Sequence, residues 1–139
     1  MKRALILGLL LLAGNAGPGA PVEIIVSGTR SAQGMIRVSI CPEQMFLKTC
    51  PWSASAPART GQVAIMIEGV PPGRYAVQAF HDANGDGKLG TGWFGIPNEG
   101  IGFSNDAMAH LTRPRFSKAA FDHGGTAQHI AVTVRYFLG

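Results

Sequence analysis

Charged side chains make up only 14% of the 139 residues, there are two cysteines, and no apolar run is long enough to cross a membrane. Each shortage removes a class of protein. A membrane-spanning helix needs about 20 consecutive apolar residues, and the longest run, Ala4 to Ala13, has half that. Basic residues are scattered, so that apart from Arg113-Pro114-Arg115 there is no stripe of the kind that holds nucleic acid. The pI near 9.5 and the formal net charge of +4 come from small numbers of ions, not from a polyanion site. No G-x-S-x-G, S-x-x-K or H-E-x-x-H pattern occurs. Ser104, in GFSND, has no strand–turn–helix setting, and no nucleophile–base pair can be assembled from spacing. An enzyme is therefore not expected. Internal repeats and low-complexity tracts are absent as well.

The first stretch is organised for export. Met1-Lys2-Arg3 is basic, Ala4 to Ala13 is apolar, and the small residues GNAGPGA follow. That is the layout of a secretory signal peptide, expected over residues 1–20 with cleavage near 16–20. Cleavage after Ala16 fits best, and after Ala20 is the alternative. Residues 21–139 then form one domain, since roughly 120 residues suit a single core. Losing Lys2 and Arg3 lowers the net charge by two, from +4 to +2. The expected address is periplasmic or extracellular.

In an oxidising compartment Cys41 and Cys50 read first as a disulfide closing CPEQMFLKTC. A reactive thiol or a metal pair are the rivals, although the spacing is wrong for a zinc knuckle.

Alternation with a period of two dominates the rest and marks half-buried strands. Val22, Ile24 and Val26 alternate with Glu23, Ile25 and Ser27, and Ile36, Val38 and Ile40 with Arg37, Ser39 and Cys41. Val63, Ile65 and Ile67 repeat the pattern, as do Ile130, Val132, Val134 and Tyr136. Arg74 to Phe80 is apolar on both faces and reads as a central strand. GTRSAQG and GVPPG carry turn chemistry, so the first two strands and the next two are expected to form hairpins. Residues 48–61 read as a small-residue loop. Residues 83–128 read as a long glycine-rich connection with a short helix over 117–122, capped by Ser117. The fold class is all-β, an antiparallel immunoglobulin-like or transthyretin-like β-sandwich.

A connection of that length is usually functional, and it opens on HDANGDGKLG. Calcium takes six to eight oxygens, and D-x-[DN]-x-[DN]-G supplies them from alternate side chains around a glycine bend. Asp82, Asn84, Asp86 and Gly87 match, with the Lys88 backbone carbonyl at the main-chain ligand position and Leu89 as apolar anchor. The second half fails: Gly90 stands at the ninth position, and Trp93 stands at the twelfth, where a bidentate glutamate belongs. Glu99 and Asp106 are the nearest further acids, with Asn98 and Asn105 as neutral donors. Asn84-Gly85 and Asp86-Gly87 read equally well as tight turns that need no ion. If a metal binds, the all-oxygen set points to calcium.

His81 precedes Asp82, but neighbours on a strand face opposite sides and cannot easily share a proton. It reads as a partly buried residue at a strand end. His110, His123 and His129 lack ligand spacing and read as loop or surface residues. Trp93, Phe94, Ile96, Ile101 and Phe103 form an aromatic run that packs over the sandwich edge or, as Trp93, Phe94 and Phe103, lines a ligand cleft.

GVPPGRYAVQAFHD with the following N-DGKL, the block FGIPNEGIGFSN, and RPRFSKAAFD together resemble the bacterial family known as domain of unknown function 2141. The resemblance covers most of the chain after the leader. It implies a small exported β-sandwich of immunoglobulin-like or transthyretin-like kind and brings no established activity. The family often carries an acid after Lys-Leu, where this chain has Gly90.

The expected function is non-catalytic binding or scaffolding through residues 81–106, calcium-stabilised in one version. The alternative is a small-molecule carrier with its cleft at 93–103. The partner, protein or small molecule, is not named by the sequence.

Overall fold

Wherever the sequence alternates, the chain is extended. The computed structural model describes residues 19–88 and 99–137, so residues 1–18 of the expected leader lie outside the described residues. In order come β1 (Ala20–Thr29), β2 (Met35–Cys41), a 3-10 helix (Glu43–Met45), β3 (Trp52–Pro57), β4 (Gly61–Val70) and β5 (Gly73–Asp82). Then follow β6 (Ile101–Phe103), α1 (Phe116–Ala119), β7 (Phe121–His123) and β8 (Gln128–Thr133).

Two sheets result, one ordered β4-β1-β8 and the other β3-β2-β5-β6 with β7 also on β5. Their inward faces meet in a core built from Val22, Ile24 and Val26 of β1, Ile36, Val38 and Ile40 of β2, and matching residues of β4, β5 and β8. Each such side chain contributes roughly 1.5–3 kcal/mol on burial. This is the expected all-β sandwich. One pairing departs from the antiparallel pattern: β8 runs parallel to β1, from Val22 opposite Gln128 to Ser27 opposite Thr133.

The two expected hairpins do not form. β1 pairs with β4 and β8 while β2 pairs with β3 and β5, so GTRSAQG and GVPPG both carry the chain from one sheet to the other. Alternation shows which side chains are buried, not which strand lies alongside. Pro71 and Pro72 also lack amide hydrogens, so a ladder cannot run on through the second turn.

Residues 48–61 are not all loop. β3 sits at the edge of its sheet, where small side chains (Ser53, Ala54, Ser55, Ala56) blur its alternation. The helix is shorter and earlier than expected. Arg115 occupies the cap position with no side-chain bond, and Ser117 is inside the helix. Phe121 to His123 leave it to pair with Gly73 to Tyr75 of β5. What fixes α1 is burial of Phe116 and Ala119, one turn apart.

β5 is central, as its two apolar faces require. Tyr75, Val77 and Ala79 enter the inter-sheet core. Ala76 faces the other way, into a second cluster of Leu47, Ile101, Phe103, Met108, Phe116 and Ala119 on the outer sheet face.

Candidate functional site

The site grows from the last residue of β5. Asp82 is fully buried on the outer sheet face. Its Oδ2 accepts from Arg37 Nε at 2.6 Å and from the Gly87 amide at 2.8 Å. Its Oδ1 is buried and has no hydrogen-bond partner among the described residues. Burial pushes the carboxyl up. The Arg37 and Gly87 bonds, the Arg37 charge and the nearby Asp86 amide outweigh burial and hold it below the usual carboxylate range.

The loop that follows winds around its own polar side chains. Asn84 Oδ1 accepts from the Asp86 amide at 3.3 Å, and Asp86 Oδ1 accepts from the Lys88 amide at 2.8 Å. Gly85 and Gly87 take φ of +70° and +79°, which side-chain-bearing residues rarely adopt. The oxygens gathered are two carboxylates and one amide, with the Lys88 carbonyl next in sequence. Among the described residues no three His, Cys, Asp or Glu side chains cluster.

The remaining predicted residues divide. The β5–β6 register, Phe80 opposite Ile101, continues through the His81 amide to Gly100 O at 2.8 Å, which brings buried Glu99 to the root of the loop. Asp106 is not brought there. β6 runs antiparallel to β5, so residues beyond Phe103 recede from Asp82. Asp106 instead takes two bonds from Arg135, one of them from Nε at 2.8 Å, which hold its carboxyl below the usual range. Asn105 is also used elsewhere, donating to the carbonyls of Lys118 and Ala120. Gly90, Trp93, Phe94 and Asn98 lie outside the described residues. Phe103 is buried in the second cluster, edge to face with Phe46 at 5.7 Å between centroids.

Cys41 and Cys50 form a disulfide, with Cα atoms 5.1 Å apart. The thiol and metal readings of that pair fall with it.

The histidines held more than the sequence suggested. His81 is buried, not partly so. Its Nε2 lies 2.7 Å from the Gln33 carbonyl oxygen, which can only accept, so Nε2 carries the proton. Nδ1, 2.8 Å from the Tyr136 hydroxyl, accepts from it in the neutral ring, and that hydroxyl accepts from the Arg30 amide at 3.2 Å. Arg30 also stacks on the Tyr136 ring at 4.1 Å. Nothing in linear spacing joins residues 30, 33, 81 and 136. His81 thus faces the core and Asp82 the outer face. His123, read as loop or surface, is also buried, with its ring nitrogens 2.7 Å from Gln128 Oε1 and 3.0 Å from Val70 O. The strand β7 that carries it had no visible alternation.

Among the described residues no helix is long and apolar enough to cross a membrane. No curated protein matches the chain. Two structures of a pilus-presented adhesin, Spy0125 (Cpa), both in a P212121 crystal form, are distantly similar. They show 11% and 9% identity and TM-scores of 0.32 and 0.31, with 84% and 83% of this chain covered. The chain spans only 26% and 27% of their length, and a likeness of that order bears on neither fold nor role. The family model is another matter: it covers residues 24–131, and the chain belongs to the family described as "Uncharacterized protein conserved in bacteria (DUF2141)".

Proposed function

We propose that this is an exported, non-catalytic β-sandwich protein that binds or scaffolds through residues 81–106, and that the loop is ordered by calcium. The domain would be residues 21–139, freed from a leader at 1–20. The ligands would be Asp82, Asn84, Asp86 and the Lys88 carbonyl, with Glu99 nearest to extend the set. The observation that carries the reading is Asp82 Oδ1, a buried carboxylate oxygen with no hydrogen-bond donor among the described residues. Leaving such an atom unpaired costs about 1–3 kcal/mol, and a hard cation collecting oxygens is the partner that suits it. Export is supported by the leader's layout and by the disulfide.

Calorimetric melting of the mature protein with calcium and with chelator tests the ion. A site filled at a hundred times its dissociation constant adds about 2.7 kcal/mol. An unchanged midpoint, together with no calcium by elemental analysis, retires it.

A further inference from the structure

The second apolar cluster covers part of the outer face of the β3-β2-β5-β6 sheet. Beside it, among the described residues, lies a groove of about 480 Å³ whose lining includes Arg37, Ser39, Lys48, Ser53, Ser55 and Phe80. Register explains why these residues meet. Arg37 lies opposite Ser55 on one side and Phe80 on the other, and Ser39 lies between Ser53 and Gln78. Two polar rows therefore cross the sheet, with neighbours about 4.8 Å apart along each row. The wall is the disulfide loop, fixed to the floor by Gln78, whose Oε1 accepts from the Leu47 amide and whose Nε2 donates to Lys48 O, both at 2.9 Å.

Among the described residues the groove carries positive charge without an acid in its lining. Arg37 is a third exposed and spends only Nε on Asp82, leaving its terminal nitrogens without a hydrogen bond among the described residues. Asp82 thus holds the guanidinium from behind. Among the described residues Lys48 Nζ has one long contact, 3.4 Å to Gln44 O. The hydroxyls of Ser39, Ser53 and Ser55 stand beside these cations. A planar fork suits a carboxylate or sulfate oxygen pair, and the hydroxyl rows beside a half-buried ring suit a sugar.

We propose that this groove binds an acidic saccharide, a sugar ring bearing a carboxylate or sulfate. The oxyanion sits on the terminal nitrogens of Arg37 with Lys48 nearby, ring hydroxyls meet Ser39, Ser53 and Ser55, and Phe80 supplies the apolar wall. The proposal does not depend on calcium, and its test is run in chelator.

Titration calorimetry of the mature protein at low salt would use three probes: a uronic-acid trisaccharide, its methyl ester, and a sulfated disaccharide. The expected result is binding of one or both acidic sugars, at least tenfold weaker binding of the ester, and a further tenfold loss in Lys48→Gln. Which acidic sugar binds identifies the oxyanion. Arg37→Gln should abolish binding, but it also exposes Asp82 and can unfold the chain. The double variant Ser53→Ala, Ser55→Ala therefore accompanies it, on exposed positions that leave the core intact. Equal binding of acid and ester, no binding of either acidic sugar, or binding unchanged in both Lys48→Gln and the serine variant overturns the proposal.

Discussion

Arg37 and Asp82 touch diagonally across β2 and β5: register sets Asp82 opposite Met35 and Arg37 opposite Phe80, yet Arg37 Nε reaches Asp82 Oδ2 at 2.6 Å. The contact joins the candidate ion loop to the open groove. It also makes the fold sensitive to acid.

Asp82 and Asp106 are both held below the ordinary carboxylate range. A carboxyl with a lowered folded-state pKa stabilises the fold fully above its unfolded value, about 4. That contribution is lost as pH falls through the lower folded-state value. The melting temperature should be level between about pH 5 and 7 and drop below about pH 4. Replacing Arg37 by Gln leaves burial as the dominant influence on Asp82, so its carboxyl should titrate at higher pH in the folded protein and its share of the acid drop should shrink or reverse. Carboxyl-carbon NMR of Asp82 reads this directly, and a titration unchanged by Arg37→Gln would contradict it.

The Cys41–Cys50 bridge closes a short loop that also carries buried Leu47. Reduction, or the double change Cys41→Ala, Cys50→Ala, should cost roughly 2–3 kcal/mol. Hydrogen exchange should quicken first at Leu47, whose amide donates to Gln78 Oε1. Uniform loss of protection across the sheets, with none concentrated there, would show that the bridge does not act locally.

Two glycines with similar backbone angles should respond differently to alanine. Gly34 (φ +71°) has the Asp82 and Ala83 carbonyl oxygens where a Cβ would go, while Gly87 (φ +79°) faces open space. Gly87→Ala should cost about 1 kcal/mol for the backbone alone. Gly34→Ala should cost at least about 2 kcal/mol, since main chain must also move. Urea denaturation ranks them, and the opposite order would refute the crowding.

Tyr136→Phe removes the hydroxyl that serves both His81 Nδ1 and the Arg30 amide. A loss of about 1–2 kcal/mol is expected. In the neutral ring, nitrogen-15 NMR of the parent protein should place the His81 proton on Nε2. A proton on Nδ1 would mean that the Gln33 contact is not a hydrogen bond.

Strand positions were plain in the sequence because β-branched residues at every second place can bury only one face. Partnership was not: Val22–Val26 and Ile36–Ile40 look like hairpin arms whether they pair side by side or meet face to face. β3 and β7 were missed because one is too small-sided and the other too short to show a period. In the site, the local half was readable, since Asp82, Asn84, Asp86 and Gly87 are neighbours in sequence. Arg37 was not, being 45 residues away from Asp82. Nor was Tyr136 behind His81, for contacts of that range arise only once the sheets close.

The parallel join of β8 to β1 has a kinetic cost. Until residues 128–133 exist and have docked, β1 presents a bare row of amides and carbonyls on that side, open to any extended stranger. Closure spans almost the whole chain, which places folding among the slow, milliseconds-to-seconds β proteins. A fragment stopping short of Gln128 should therefore clump rather than merely loosen.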